Sequence, residues 1–170
     1  MNAPKNPYRI EPLGKHNRAA FSCGKPELDR YLRERAGQEA RRRVTAPFVA
    51  VVPDTGAIAG YYTLSALSVS LGYLPPDVAR RLPRYPAVPA TLLGRLAVDR
   101  QHQRKGLGEF LLMDALRRSL DETANVGSVA VVVDALDDEA RAFYEHFDFI
   151  RLPEQPTRLF LPMATIAKLF

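Results

Sequence analysis

The residues with the clearest chemical potential form a short basic loop that opens an amphipathic segment: Gln103, Arg104, Lys105, Gly106, Leu107 and Gly108. The first turn of a helix carries unpaired backbone N–H groups and a partial positive charge. The two glycines lack a Cβ, so the backbone can approach an anion closely, and the two cations add charge. The pattern predicts a site for phosphate or pyrophosphate, although a solvated turn with a glycine hinge has the same composition.

The loop differs from two common nucleotide-binding motifs. Neither G-x-x-x-x-G-K-[ST] nor G-x-G-x-x-G is present, which excludes the P-loop and the dinucleotide fingerprint. The chain has a formal net charge of +5, and arginine greatly outnumbers lysine. Because the planar guanidinium suits phosphate, a basic surface for nucleic acid or a polyphosphate cofactor is one interpretation of this charge. Simple solubility is the other.

The segments on either side of the loop predict a βαβ unit. Residues 90–98, ATLLGRLAV, are typical of a central, buried strand that leads into the loop. Residues 106–123 carry leucines at helical spacing, and residues 128–136, SVAVVVDAL, predict a second buried strand. A strand, a long helix and a strand in this order are typical of parallel strand pairing.

The remaining segments complete a mixed α/β pattern, in which an antiparallel hairpin region joins the parallel half. They are, in chain order, a strand at 8–12, a helix from Pro26 to about Arg43, strands at 47–53 and 57–71 joined by a turn at 54–56, a short helix at 75–82, a helix at 137–147, and strands near Phe149 and at 158–161.

Length and composition limit the class of protein. The chain of 170 residues is long enough for one domain, which we expect to span residues 1–170. No apolar run reaches the ~20 residues that span a bilayer, and residues 1–7 lack the apolar core of a signal peptide, so the cytoplasm is the expected compartment. The single cysteine, Cys23, excludes an internal disulfide framework and a cysteine-rich zinc site, and we expect no metal.

Two sequence motifs together resemble the GNAT acetyltransferase superfamily. Residues 103–108 match Q/R-x-x-G-x-G/A, the acetyl-CoA-binding core of that superfamily. Residues 137–149, DDEARAFYEHFDF, resemble N-x-x-A-x-x-F-Y-x-x-x-G-F, except that Asp137 replaces asparagine and Asp148 replaces glycine. Aspartate caps a helix about as well as asparagine, so the first difference should be mild, whereas the second makes a turn less flexible. The resemblance implies a single mixed sheet flanked by helices, with splayed parallel strands.

Further similarities narrow the resemblance to one GNAT branch. They are FSCGKPELDRYLRERA at 21–36, AGYYTL at 59–64, LGRLAVD at 93–99 and LFLPM at 159–163. That branch contains the toxins of type II toxin–antitoxin pairs, usually encoded beside a ribbon-helix-helix antitoxin. The resemblance implies acetylation of the α-amine of aminoacyl-tRNA, a block of translation, and a homodimer.

The resemblance also implies roles for individual residues in acetyl-CoA binding. The backbone of Leu96, Ala97 and Val98 would pair with the pantetheine arm, and the amides of residues 104–108 would hold the pyrophosphate. An amide at the end of that strand would stabilise the oxyanion, an interaction whose loss costs ~3 kcal/mol. The remaining residues implied at the cofactor are Gln103, Asp137 and Phe143.

Tyr144 is the candidate general acid, because a phenol near the sulfur can protonate the departing thiolate. The alternative is a half-buried aromatic residue whose hydroxyl makes one structural hydrogen bond. An α-amine has a pKa near ~8 and is partly neutral, so no strong side-chain base is required. His102, expected to be exposed, and His146 are weaker candidates. Cys23 is expected to be a small buried residue rather than a nucleophile.

Arginine clusters are the candidate contacts for the acceptor. They comprise Arg41, Arg42, Arg43, Arg80, Arg81 and Arg84, with Arg95 pointing toward a substrate cleft. Solvated helix faces would have the same composition. Two other functions are open: a GNAT enzyme that acetylates a protein N-terminus or a small amine, and a binding partner that tunes the DNA binding of an antitoxin.

Overall fold

A computed structural model of the chain describes residues 6–170. Its strands are β1 (Arg9–Pro12), β2 (Ala46–Val51), β3 (Ile58–Ser70), β4 (Ala87–Val98), β5 (Ala130–Asp134), β6 (Ile150–Leu152) and β7 (Gln155–Pro162). Its α-helices are α1 (Pro26–Glu34), α2 (Ala36–Arg41), α3 (Pro76–Ala79), α4 (Leu107–Glu122), α5 (Asp138–His146) and α6 (Met163–Ile166). Short 3₁₀ helices lie at Leu71–Tyr73, Arg100–His102 and Ala167–Leu169.

The strands form one seven-stranded mixed sheet in the order β1-β2-β3-β4-β5-β7-β6. β4 and β5 pair in parallel, as the βαβ pattern predicts, and every other strand pairing given by the register is antiparallel. The parallel pairing runs from Thr91↔Val131 to Leu93↔Val133, whereas β4 continues to Val98. The mixed α/β fold with an antiparallel N-terminal region is therefore confirmed.

The packing of the chain separates into two units, and β3 and β4 contribute to both. The first unit contains Met1–Leu64 and Arg95–Ala115. Its core is built on aromatic rings and branched side chains of β2, β3 and α1, which include Tyr31, Leu32, Val49 and Tyr61. Val49 and Val51 alternate along β2, so they share one face of that strand, which packs in the same core as α1.

The second unit contains Ser65–Gly94 and Leu116–Phe170. Its core includes Val88, Ala90, Val132 and Phe160, which belong to the paired strands β4, β5 and β7. The short helix α3 lies in the segment between β3 and β4. The Leu71 N–H donates to the Pro86 carbonyl at 3.3 Å, which brings the two ends of that segment together.

Two expectations about the elements require correction. The helix predicted from Pro26 to about Arg43 is two helices, because Arg35 leaves helical geometry at φ −120° and ψ −37°. The small residues that open α2 let the chain pack closely: a Cβ at Gly37 would lie 2.7 Å from Arg18 Nη1. The strand at 90–98 is central but only partly buried, since Leu92, Leu96 and Val98 retain solvent exposure.

Candidate acetyl-CoA and acceptor sites

Side-chain hydrogen bonds hold the start of the basic loop in the first unit. The Gln103 amide Nε2 donates to the carbonyl oxygens of Cys23 at 3.0 Å and Val98 at 2.9 Å. The buried Asp99 carboxylate accepts the N–H of Ser22 at 3.0 Å and the N–H of Gln101 at 2.9 Å. The Gln103 side chain therefore anchors the loop to the end of β4, and its place at the cofactor stays a prediction.

The loop backbone has the geometry of an anion site. Arg104 and Gly106 both adopt left-handed conformations, with φ of 63° and 79°. A Cβ at Gly106 would meet nothing within 4 Å. Glycine is therefore favoured at this position by the positive φ and not by a lack of space for a side chain. The Phe110 N–H donates to the Gly106 carbonyl at 3.1 Å. The three N–H groups before it in α4 thus lack an acceptor within the helix, and free N–H groups of this kind can bind an anion.

A glycine that the sequence analysis did not single out shapes the strand before this loop. A Cβ at Gly60 in β3 would lie 2.9 Å from the Ala97 carbonyl oxygen and 2.8 Å from Leu111 Cδ1. β3, β4 and α4 therefore approach one another more closely than any side chain at position 60 permits. A glycine inside a strand pattern is the signal that points to such an approach.

Tyr144 lies on α5 in the second unit. Its side chain is only 6% exposed and packs with the rings of Phe143 and Phe149, both at centroid distances of 5.3 Å. Burial raises the pKa of the Tyr144 phenol, so the hydroxyl keeps its proton at neutral pH. The Asp137 carboxylate caps the helix by accepting the Ala140 N–H at 2.9 Å, as expected for an aspartate in place of asparagine.

The hydroxyl of Tyr144 is not used in the packing of the helix. It makes no hydrogen bond to another residue in the described part of the chain. Thr63 Oγ1 is the one fully buried side-chain oxygen or nitrogen without a partner within residues 6–170, so the Tyr144 oxygen retains access to solvent. Within residues 6–170 the structural hydrogen bond that the sequence left open as an alternative is not formed, and the role of Tyr144 as the general acid stays a prediction.

Asp148, which stands where the GNAT motif has glycine, has a φ of 69°. The neighbouring Phe147 and Phe149 N–H groups both donate to the Tyr144 carbonyl, at 3.0 and 3.2 Å, and so close the end of α5. A left-handed residue at this position is the usual end of a helix, and glycine adopts it with the least strain. The turn is thus formed despite the substitution.

The arginines of both predicted clusters are exposed, and none of them pairs with a carboxylate within the described residues. Within the described residues, the guanidinium groups of Arg41, Arg42, Arg43, Arg80, Arg81 and Arg84 make no hydrogen bond or ion pair. Several other arginines pair with carboxylates, for example Arg151 with Glu145 at 2.6 Å. Arg95 is half-buried, and its Cζ lies 3.5 Å from the centroid of the Tyr31 ring.

Structural environments account for the side chains of Cys23 and His102, and also for that of Asp134 at the end of β5. Cys23 is buried, as expected, and desolvation raises the pKa of its thiol to about 11, which suppresses the nucleophilic thiolate. His102 is half-buried rather than exposed, because its Nδ1 lies 2.7 Å from the Tyr8 hydroxyl. Asp134 pairs with Arg158 through two hydrogen bonds of 2.7 and 2.9 Å across β5 and β7.

Residues 6–170 contain neither a cluster of metal-ligating side chains nor a helix suited to crossing a membrane. No group of three or more His, Cys, Asp or Glu side chains converges on a position that could bind a metal ion in this part of the chain. None of the helices described combines the length and the apolar character required to cross a membrane.

The acetyltransferase (GNAT) family model matches residues 11–149, which include the basic loop and Tyr144. The chain belongs to the GNAT acetyltransferase family. It is accordingly an enzyme that transfers an acetyl group from acetyl-CoA. The anchored loop carries, at the start of α4, N–H groups of the kind that bind phosphate in other proteins.

The names of individual relatives are more specific than the description of the family. The chain is 44% identical over 144 residues to a protein named tRNA-acetylating toxin from Mycobacterium tuberculosis, which covers 85% of this chain and 84% of the relative. A crystal structure of a tyrosine-to-phenylalanine mutant of KacT superposes with a TM-score of 0.92 at 31% identity, over 97% of this chain and all of KacT. AtaT complexed with acetyl-methionyl-tRNAfMet has a TM-score of 0.89 at 28% identity, over 96% of this chain and 99% of AtaT.

Proposed function

We propose that this enzyme acetylates the α-amine of the aminoacyl group on charged tRNA and acts as a toxin that blocks translation. The observation that carries the proposal is the extensive similarity to a protein named tRNA-acetylating toxin. The chemistry of the acceptor agrees with it, because the uncompensated arginines suit a polyanion. An acetylated α-amine can no longer act as the nucleophile of peptide-bond formation.

The main chain of the first unit holds the co-substrate in this proposal. Acetyl-CoA supplies the acetyl group as a thioester. The N–H groups of residues 104–108 hold the pyrophosphate, and the backbone of Leu96–Val98 orients the pantetheine arm. Asp99 and Gln103 keep the loop in place through their hydrogen bonds to neighbouring backbone groups.

Tyr144 holds the proton that the reaction requires at the sulfur. Its buried phenol stays protonated at neutral pH and has no protein acceptor within the described residues, so its hydrogen is available to the departing thiolate. The incoming α-amine has an ordinary pKa near ~8 and loses its own proton to water. The phenolate then regains a proton from solvent, which restores Tyr144.

The arginine clusters supply the affinity for tRNA. The first cluster, Arg41–Arg43, lies at the end of α2. The second, Arg80, Arg81 and Arg84, follows α3 in the segment between β3 and β4, which also carries the exposed rings of Tyr73 and Tyr85. Arginine and tyrosine side chains stack on unpaired bases such as those of the acceptor end. Because several phosphates are contacted, affinity should fall steeply with salt.

An antitoxin completes the proposed system. AtaT is solved with the C-terminus of its antitoxin AtaR and with DNA in an AtaT–AtaR complex. We infer that this chain likewise binds a DNA-binding antitoxin, of the ribbon-helix-helix type that the sequence resemblance implies. The toxin acts in the cytoplasm, where charged tRNA is used. A homodimer remains a prediction from the same resemblance.

The acceptor is tested with labelled acetyl-CoA and three acceptors: charged tRNA, uncharged tRNA and a polyamine. Label is expected on charged tRNA alone. Label confined to the polyamine or to protein would contradict the proposal and favour the alternative GNAT activities. Mass spectrometry of the aminoacyl ends after expression would then identify the amino acid that carries the acetyl group.

The role of Tyr144 is tested by replacing it with phenylalanine, which removes one oxygen. We expect kcat to fall by ~10²–10⁴ with little change in the Kd for acetyl-CoA, because general acid catalysis contributes on that order. Tyr8→Phe is the matched control, since it removes a phenol oxygen that contacts only His102. Growth inhibition that persists in Tyr144→Phe would instead favour a binding-only function.

A further inference from the structure

Arg95 occupies a distinctive position in the first unit. It lies in β4 directly before Leu96–Val98, the segment proposed to orient the pantetheine arm. Ala97, two residues further along the strand, packs in the same core cluster as Tyr31 and Tyr61. Since side chains alternate along a strand, Arg95 and Ala97 share the face covered by α1, which agrees with the contact between Arg95 and the Tyr31 ring.

Tyr31 is held firmly in place. The ring is 4% exposed and stacks on Tyr61 with a centroid distance of 6.3 Å and an interplanar angle of 15°. Its hydroxyl donates to Glu39 Oε1 on α2 at 2.9 Å, and Tyr61 in turn donates to the Leu28 carbonyl at 2.8 Å. The surface on which the guanidinium lies is therefore fixed by two helices and by β3.

The guanidinium of Arg95 has hydrogen-bonding capacity that the protein does not use. Within residues 6–170 it forms no hydrogen bond or ion pair, although the residue is half-buried. It lies over the Tyr31 ring in a cation–π contact, which occupies one face of the guanidinium. The N–H donors lie in the plane of the guanidinium and remain available to an oxyanion that presents two oxygens side by side.

We propose that Arg95, positioned by Tyr31, binds a phosphodiester of the unpaired 3′ end of charged tRNA, close to the amine that is acetylated. This inference rests on the proposed function. The fork of a guanidinium matches two phosphate oxygens, and the fixed ring lowers the entropy lost on binding. Tyr31 is thus a positioning residue, whereas the exposed arginine clusters supply charge without a fixed orientation.

The first test compares Arg95→Lys and Arg95→Gln with the wild-type enzyme. Lysine keeps the charge and loses the fork, so both variants should raise KM for charged tRNA by ~10-fold or more, on the scale of a hydrogen bond to a charged group. The Kd for coenzyme A should stay unchanged. An aminoacyl nucleoside without a phosphodiester should react equally well with all three proteins, because it lacks the group that Arg95 binds.

The second test changes the positioning residue. Tyr31→Phe retains the ring and should raise KM for charged tRNA only slightly, whereas Tyr31→Leu removes the ring and should approach the KM of Arg95→Lys. Combining Tyr31→Leu with Arg95→Lys should add little to either single change. If Tyr31→Leu fails to fold, as judged by circular dichroism, the Arg95 variants and Tyr31→Phe still decide the question.

The outcomes separate this inference from the proposed function. Wild-type protein that does not acetylate charged tRNA would overturn both. Normal transfer by the wild type, with an unchanged KM in Arg95→Lys, would overturn the role of Arg95 alone. A weaker Kd for coenzyme A in the Arg95 variants would assign the guanidinium to a phosphate of the co-substrate instead, and an equal loss with the aminoacyl nucleoside would also contradict the proposal.

Discussion

The loop at residues 103–108 and the arginine clusters are both basic, but they are built differently. The loop presents main-chain N–H groups, and its conformation is set by left-handed residues and by the anchoring side chains of Gln103 and Asp99. The clusters at 41–43 and 80–84 present long side chains that make no described ion pair or hydrogen bond. The loop is preorganised for one small anion, whereas the clusters suit an extended polyanion whose phosphates are bound additively.

The comparison of the loop with the clusters predicts that a backbone change in the loop has the largest effect on ligand binding. Gly106→Val places a Cβ at a φ of 79°, where a side chain costs ~1–2 kcal/mol or more. The loop should therefore shift, and acetyl-CoA binding measured by calorimetry should weaken by at least ~10-fold.

Gly56→Val is the matched control for that change. Gly56 has a similar φ of 71° and, like Gly106, has no atom within 4 Å of an added Cβ. The control should lose comparable stability in urea unfolding while its affinity for acetyl-CoA stays the same. Equal losses of affinity in both variants would mean that the effect of Gly106→Val is global strain rather than loss of the anion site.

The contribution of the arginine clusters to tRNA affinity should depend on their charge rather than on backbone geometry. Arg43 has a φ of 58° at the end of α2, so Arg43→Gly removes a charge and also relieves strain. We expect stability to rise by ~1 kcal/mol while affinity for charged tRNA falls and the slope of log K against log salt decreases by ~0.7. Urea unfolding and filter binding measure the two quantities.

Arg42→Gly separates the effect of the lost charge from the effect of the relieved backbone strain. Arg42 has an ordinary φ of −84°, so glycine there removes the same charge without relieving strain and should lower stability. Both variants should lose tRNA affinity to the same extent. If Arg43→Gly binds charged tRNA as tightly as the wild type, the cluster at 41–43 is a solvated helix end and not a tRNA contact.

The smallest effect is expected at a strained position outside both regions. Asp148→Gly restores the residue typical of the GNAT motif at a φ of 69°. Stability should rise by ~0.5–1 kcal/mol, with no change in the Kd for acetyl-CoA or the KM for charged tRNA. Thermal unfolding checks the first expectation, and steady-state kinetics checks the second. A large gain in kcat would mean that the turn after Tyr144 limits catalysis.

Most of the elements could be predicted from local patterns. The hairpin, the βαβ unit and the helices α4 and α5 follow from periodicity and from turn residues, which act within a few positions of the chain. The break at Arg35 could not be predicted in this way, because no proline or glycine interrupts the helical pattern between residues 27 and 36. The partial burial of β4 likewise does not follow from its apolar composition, since Leu92 stays partly exposed although it pairs with Val132 in β5.

The amino-acid sequence by itself determined the family, the acetyl-CoA motif and the arginine clusters, since these depend on residue types at fixed spacings. Only the tertiary structure decided which polar groups already have hydrogen-bond partners within the protein. The Gln103 side chain donates the hydrogen bonds that anchor the loop, whereas the Tyr144 hydroxyl and the Arg95 guanidinium have no hydrogen-bond partner within residues 6–170 and can bind a ligand. Hydrogen-bond partners and burial come from residues far apart in the chain, so no local pattern contains them.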